Sequence, residues 1–380
     1  GAGYVTGIFG KWHLGDEPAY QPDKRGFDEV YIHGGGGIGQ TYPGSCGDAP
    51  GNSYTNPALL HNGTFELTTG YCTDLFFAQA IRWMDSARKE KKPFFAYITP
   101  NVAHTPLDCP EENYKHYTGK LPQNAARFYG MIETLDVNFG RLVRQLASWN
   151  IERNTVVLFL GSDNGGTAGV KIFNDGMRGT KGTPYRGGTR VPCFIRWPDR
   201  FAGGRDIPTL TAHIDLFPTL VEISGADLNR AIRRQLEGRS LLPLLEGSTA
   251  SGWDDRFLIT HVGRWPRGKT AEARFSGCAI RNSRFALVNN SQLFDIFNDP
   301  GESRNVITNH PGTVCDMRAA YEKWWMDIQP FLVNENAVGP AINPFKALFW
   351  KQFGGGPTAE DLEVMKPSKT RQGTATTPVF

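Results

Sequence analysis

The chain has 380 residues, and its 41 Lys and Arg against 38 Asp and Glu leave a net charge of +3. That near balance gives no reason to expect nucleic acid as a partner, and the length suits one large domain with a smaller companion. Gly (44) and Pro (25) stay below the share, about 25–30%, at which low-complexity disorder sets in. The longest apolar runs, such as VVLFL at 156–160, fall far short of the roughly 20 residues of a membrane span, so no transmembrane segment is expected. No basic and apolar leader precedes the first residue, so no signal peptide is read in this sequence. Cys46, Cys72, Cys109, Cys193, Cys278 and Cys315 stand singly, which argues against a zinc or CxxC redox centre. Buried thiols and one or two disulfides both fit that spacing.

In chain order, residues 1–119 alternate short apolar pieces with loops, among them HGGGGIG at 33–39 and the polar stretch 43–58. Leu75, Phe76, Ala80, Trp83 and Met84 predict a helix over 73–89, and PFFAYIT after it reads as a buried strand. A second unit repeats the pattern: Phe128, Met131, Ile132, Leu135, Phe139, Leu142, Val143 and Leu146 form a helical stripe, and TVVLFL at 155–160 is a continuous apolar strand ending in GSDNGG. CFIRW at 193–197 is a third strand, and HIDLFPTLVEISG at 213–225 feeds a helix capped by Gly225. The alternation predicts an α/β fold, a mostly parallel sheet flanked by helices. From about Ser251 short strands (FLITH, CAIRN, RFALVNN, QLFDIFN) and a helix over 313–328 predict a small C-terminal antiparallel sheet plus helix. The expected domains are 1–250, an α/β catalytic domain; 251–333, an α+β subdomain; and 334–380, a tail that wraps the surface or is partly disordered.

Several local patterns carry chemistry. GSDNGG sets Asp163 and Asn164 directly after a buried strand, where open α/β sheets hold their ligands. Their hard oxygens suit calcium or magnesium rather than zinc; a tight turn is the alternative. GIFGKWHLG at 7–15 brings Lys11 and His13 to one side of an extended segment, where they could present a cation and a base to one anion. His104, in AHTPL at 103–107, also follows a strand's carboxyl end. RGTKGTPYRGGTRVP at 178–192 packs Arg178, Lys181, Arg186 and Arg190 among glycines, as an anion-binding loop or a basic surface loop would. HGGGGIG neither follows a clear strand nor opens a helix, so it fails the context of a dinucleotide fingerprint. Walker A, HExxH and GxSxG patterns do not occur. Asp215, beside His213, is explained by helix initiation. NGT at Asn62 and NNS at Asn289 match the glycosylation acceptor pattern, which arises easily by chance.

Taken in order, GYVTGIFGKWHLG, AHTPL, GSDNGG, GTKGTPYRGGTRVP, HIDLFPTL and LFDIFNDPGESRNV resemble the type I sulfatases, the arylsulfatase family of the alkaline-phosphatase superfamily. The resemblance runs from Gly3 to about Leu332. It implies a sulfuric ester hydrolase in which Asp163 and Asn164 ligate calcium and Lys11 and Lys181 bind the sulfate oxygens. His13 would assist turnover of the nucleophile, and His104 would protonate the departing alcohol. The family's nucleophile is a formylglycine made from C/S-x-P-x-R upstream of GKWHLG, near a pair of Asp ligands. Neither occurs in this sequence, so the chain reads as a sulfatase without its first section, with weak calcium binding and negligible turnover expected of this chain alone. The resemblance further implies a sulfated small molecule or sulfated carbohydrate as partner and a periplasmic or extracellular place. A phosphate mono- or diester hydrolase of the same superfamily and a non-catalytic binder of sulfated glycans are the alternatives. Loops 33–58 and 166–178 would select the substrate, with Tyr42, Tyr54 and Phe173 able to stack on a ring or simply to pack.

Overall fold

The computed structural model describes residues 2–38, 47–161, 164–248, 252–253, 256–266, 268–332, 340–359 and 361–362. Two compact units emerge, one of residues 3–149 joined by the chain from 336 onward, the other made of residues 150–335.

The first unit is built on a five-stranded sheet of β1 (Val5–Lys11), β2 (Glu29–His33), β3 (Ala58–His61), β4 (Thr64–Leu67) and β5 (Phe94–Thr99), in the order β4-β3-β2-β1-β5. Strand β1 runs parallel to β2 and to β5, and the β3–β4 hairpin adds antiparallel to β2. Asn62 and Gly63 close that hairpin with φ of 47° and 86°, both positive as a two-residue turn of this hand requires. On one face Ile8, Val30, Ile32, Leu60 and Phe65 form a core completed by Phe345, from the helix Pro344–Phe353. Helix α1 (Cys72–Lys89) buries Phe76, Ala80 and Met84, the residues its spacing predicted, and Trp83 meets Phe9 of β1 ring to ring at 5.6 Å. Helix α2 (Gln123–Ser148) packs on α1, burying Met131, Leu142 and Leu146. One expectation is corrected: PFFAYIT is not a buried strand here, since β5 is the sheet's edge and leaves Phe95 36% and Tyr97 48% exposed.

In the second unit β6 (Val157–Leu160) and β7 (Cys193–Arg196) pair antiparallel as a two-stranded sheet. Helix α3 (Leu216–Ser224) ends on Gly225 at φ 65°, the left-handed cap its sequence announced. Strands β8 (Leu258–His261), β9 (Cys278–Arg281), β10 (Phe285–Val288) and β11 (Gln292–Asp295) make the expected antiparallel sheet, in the order β11-β10-β9-β8. Helix α4 (Pro311–Ile328) lays Val314, Met317, Tyr321 and Trp325 against Ile280, Leu287 and Leu293 of that sheet. The fold class expected from the sequence is therefore present, a mostly parallel sheet flanked by helices together with an antiparallel sheet and helix. No described helix is long and apolar enough to cross a membrane. Cys72, Cys109, Cys193, Cys278 and Cys315 are free thiols, and Cys46 lies outside the described residues.

Candidate active site

In the first unit three parallel strands end side by side, and the predicted residues of that unit lie at those ends. Lys11 is the last residue of β1 and stands in register with His33, the last of β2. Thr99 ends β5, and its Oγ1 donates to the Lys11 carbonyl at 2.8 Å, tying the two strand ends together. That approach needs Gly10: its φ is 128°, and a Cβ there would lie 2.1 Å from the Thr99 carbonyl oxygen. His13 follows at φ 52°, a left-handed conformation that costs a non-glycine residue about 1–3 kcal/mol and persists where its surroundings enforce it. The enforcement is visible on both sides. Trp12 Nε1 donates to the Tyr20 carbonyl at 2.9 Å. Asp16, 1% exposed, accepts from the Gly35 amide at 3.2 Å and from Asn343 Nδ2 at 2.8 Å. Burial pushes the Asp16 carboxyl above the usual carboxylate range, and those hydrogen bonds only partly offset it.

His33 is completely buried and marks a role that the sequence did not disclose. Its Nδ1 faces the Gly34 carbonyl at 2.7 Å, and its Nε2 lies 2.8 Å from Asn101 Nδ2. The NH2 group of a carboxamide can only donate and a carbonyl only accept, so the ring is neutral with the proton on Nδ1. Burial pulls its pKa down to about 4, with Lys11 and His13 adding to the effect. Asn101 in turn accepts the His104 amide at 2.7 Å on its carbonyl, and buried Tyr54 donates to the His104 carbonyl at 3.1 Å. His104 Nδ1 lies 2.8 Å from the Thr105 carbonyl. A proton on Nδ1 satisfies that carbonyl. Two cis peptide bonds, Val102–Ala103 and Thr105–Pro106, lie in this loop.

The glycine run 34–37 follows strand β2 directly, which corrects the expectation that no strand precedes it; EVYIH is short and charged at its start, so its strand character was hidden. Among the described residues it opens no helix. Asp48, also buried, accepts the Gly34 amide at 3.1 Å. Tyr42 lies outside the described residues. Tyr54 is a buried packing residue, whereas Phe173 is 72% exposed.

In the second unit Asn164 follows β6; Ser162 and Asp163 lie outside the described residues. The loop bearing Lys181 is stitched to this strand end by backbone bonds: Gly165 N to Gly188 O at 2.9 Å, Lys181 N to Gly166 O at 3.1 Å, Gly161 N to Pro192 O at 2.7 Å. A Cβ on Gly165 would lie 1.8 Å from the Gly187 oxygen, so only glycine lets the two segments close. Asn164 and Lys181 are thus brought together. Arg178 is not an anion ligand of that loop. Its guanidinium lies 4.0 Å from the centre of the Tyr185 ring and donates to the Glu302 carbonyl at 3.2 Å. Glu302, fully buried, accepts the Arg186 amide at 2.7 Å and faces Arg281 at 3.8 Å. Burial raises its carboxyl above the usual range despite these partners. Glu302 belongs to the NDPGESRNV motif, whose acid had no assigned role in the sequence. Among the described residues no three His, Cys, Asp or Glu side chains gather for a metal. Asp and Asn side chains such as Asp163 and Asn164 offer hard oxygens, a donor type that suits calcium rather than a soft metal.

The Sulfatase family profile matches residues 1–226, and the profile of the C-terminal domain of N-sulphoglucosamine sulphohydrolase matches residues 180–320. Similar proteins include YdeN, an uncharacterized sulfatase of Escherichia coli K12, 26% identical over 88% of this chain and 66% of that one. Human arylsulfatase A is 27% identical over 84% and 68%, and mouse arylsulfatase J 29% over 62% and 39%. Among solved structures, Ps i-CgsB in complex with k-i-k-neocarrahexaose superimposes with a TM-score of 0.73 at 27% identity, over 92% of this chain and 76% of that one. BT4656, in complex with its substrate D-glucosamine-2-N,6-O-disulfate, shares the fold at a TM-score of 0.64 and 19% identity, over 87% and 81%. A mostly parallel sheet with Lys and His at its carboxyl ends, together with these likenesses, defines a protein of the alkaline-phosphatase superfamily. Within that class the chain belongs to the sulfatase family. It spans 66% and 39% of the lengths of YdeN and arylsulfatase J.

Proposed function

We propose that the whole protein is a sulfuric ester hydrolase acting on a sulfated carbohydrate in a periplasmic or extracellular setting. The observation that carries this reading is the meeting of Lys11, His33 and the His104 loop at the ends of neighbouring parallel strands in a sulfatase-family chain. Lys11 and Lys181 hold the non-bridging sulfate oxygens and take up charge as it grows on them. His104 hands a proton from Nε2 to the departing alcohol oxygen, with Nδ1 kept on the Thr105 carbonyl. His13 takes a proton when the enzyme is restored. Two groups would complete the proposal: Asp163 and Asn164 would hold a calcium ion, which would supply positive charge, and a formylglycine outside these 380 residues would supply the oxygen nucleophile. The carbohydrate class is supported by Ps i-CgsB, which was captured with a neocarrahexaose.

The test is sulfate release by the whole protein from 4-nitrophenyl sulfate and from sulfated oligosaccharides, against phosphate release from 4-nitrophenyl phosphate. A sulfatase cleaves the sulfates, and His104→Ala lowers its kcat by about 10²–10⁴-fold. Preferred turnover of the phosphate ester, or binding of sulfated glycan without turnover, would replace this reading by a phosphoesterase or a glycan binder.

A further inference from the structure

Next to the His104 loop the first unit holds an open pocket of about 300 Å³ lined by Thr105, Leu107, Gln123, Asn124 and Arg127. We propose that this pocket is a leaving-group subsite, and that Arg127 recognises there an anionic substituent of the substrate sugar, a second sulfate or a uronate carboxylate. The proposal rests on the role given to His104 above.

Position is the first argument. The Thr105 carbonyl that holds His104 Nδ1 belongs to a residue of the pocket wall, so the pocket begins one residue from the proposed acid. A group that gives its proton to a leaving oxygen has the leaving alcohol on its own side. Strand β5 ends at Thr99, five residues before His104, and α2 begins with Gln123. Sulfur Sγ of Cys109 reaching the Arg127 carbonyl at 3.6 Å, and Arg127 Nη1 reaching the Leu107 carbonyl at 3.3 Å, fasten the two segments together.

The chemistry of the wall is the second. Leu107 is its one apolar member; a hydroxyl, two carboxamides and a guanidinium make up the rest. Such a wall suits a hydroxylated, charged ring better than an aryl group, and its volume lies at the lower end of small-ligand sites, about 300–1,000 Å³. Arg127 is held ready and is poorly neutralised. Its guanidinium carbon lies 5.4 Å from the Tyr114 ring centre, its nearest carboxylate is Asp108 at 3.8 Å, and its buried Nε has no hydrogen-bond partner. A guanidinium fixed on a ring with donors to spare is the usual partner of a planar or tetrahedral oxyanion.

Calorimetric titration of the protein in a His104→Ala background, which suppresses turnover, tests the idea with three probes: glucosamine 6-sulfate, glucosamine 2-N,6-O-disulfate, and a 6-sulfated glucosamine linked to a uronate. The second anionic group is expected to tighten binding about tenfold, an Arg–anion contact discounted for its exposure. The gain disappears in Arg127→Met and is partly kept in Arg127→Lys, with thermal unfolding of each variant checking that it folds. Whichever of the two larger probes shows the gain identifies the anion. No gain from either, or a gain that survives Arg127→Met, overturns the subsite while leaving the sulfate site intact. If glucosamine 6-sulfate itself does not bind, or binds equally well after Lys11→Ala, the reading of the sulfate site fails and the subsite falls with it.

Discussion

The Nε2 of His33 accepts a hydrogen bond of 2.8 Å from Asn101, so the end of β2 holds the loop that presents His104. The bond depends on a neutral imidazole. The folded pKa of His33 lies near 4 and its ordinary value at 6.5, so the unfolded chain binds the extra proton first. Stability from this group is complete above pH 6.5 and is lost as pH falls toward 4, by about 3 kcal/mol in all. Urea unfolding of wild type and His33→Leu at pH 7 and pH 4.5 should show the wild type losing that increment and the variant a much smaller one. Equal pH dependence of the two would contradict the assignment.

Asp215 and Arg256 form an ion pair at 3.0 Å with side chains 0% and 5% exposed. Asp215 also accepts the Ala212 and Arg239 amides at 2.8 and 2.9 Å, so it anchors the start of α3 as well as neutralising the arginine. Asp215→Ala strands a buried cation and should cost about 3–5 kcal/mol in chemical denaturation. Arg256→Met with Asp215→Leu should recover part of that loss, since removing both charges leaves neither unpaired.

Gly10→Ala should be among the most damaging single-methyl changes in the first unit. The added carbon meets the Thr99 carbonyl at 2.1 Å and the backbone is at φ 128°. A loss of about 3 kcal/mol or more, or failure to fold, is expected. Gly51→Ala is the control: φ is 66° but nothing lies within 4 Å, so only the backbone cost of about 1 kcal/mol remains. Similar melting shifts for the two variants would mean that Thr99 can yield.

Glu302 holds the loop that carries Lys181 without touching the ligand side itself. Glu302→Ala removes the acceptor of the Arg186 amide and leaves Arg281, 8% exposed, without its carboxylate. About 3 kcal/mol should be lost, and sulfate affinity of the protein should fall with it. Glu302→Gln keeps one acceptor oxygen and should lose less on both counts. A variant with weakened stability but unchanged sulfate affinity would show that Glu302 steadies the antiparallel sheet alone.

Long periodic elements were legible in the sequence because packing and pattern agree there. Helix α1 buries Phe76, Ala80 and Met84 as their spacing required, and α4 buries a Val314, Met317, Tyr321 and Trp325 stripe. Strand β2 and the β3–β4 hairpin were not legible, although Asn62-Gly63 is the dipeptide such a hairpin uses. Those strands owe their pairing to neighbours in the sheet more than to their own four or five residues. In the site, Lys11 and His13 stood out by sharing one side of an extended segment, and His104 by following a strand's carboxyl end. His33, Asn101, Asp16 and Glu302 did not, because their work is to satisfy buried donors and acceptors from distant parts of the chain, and spacing along the chain does not encode that.

The hydrogen bond from Asn343 to Asp16 joins residues 327 apart. On a ribosome adding about 5–20 residues per second, the carboxylate waits roughly 16–65 s for its partner. Until then the loop around His13 has one of its buried anchors incomplete, while all of residues 150–335 have already left the tunnel or are leaving it. The second unit can therefore be finished before the first, and strand β1 is among the last parts of its own unit to be locked. A nascent chain stalled before Asn343 would expose the His13 segment to proteases and chaperones, and one stalled far enough beyond the helix Pro344–Phe353 for that helix to clear the tunnel would hide it.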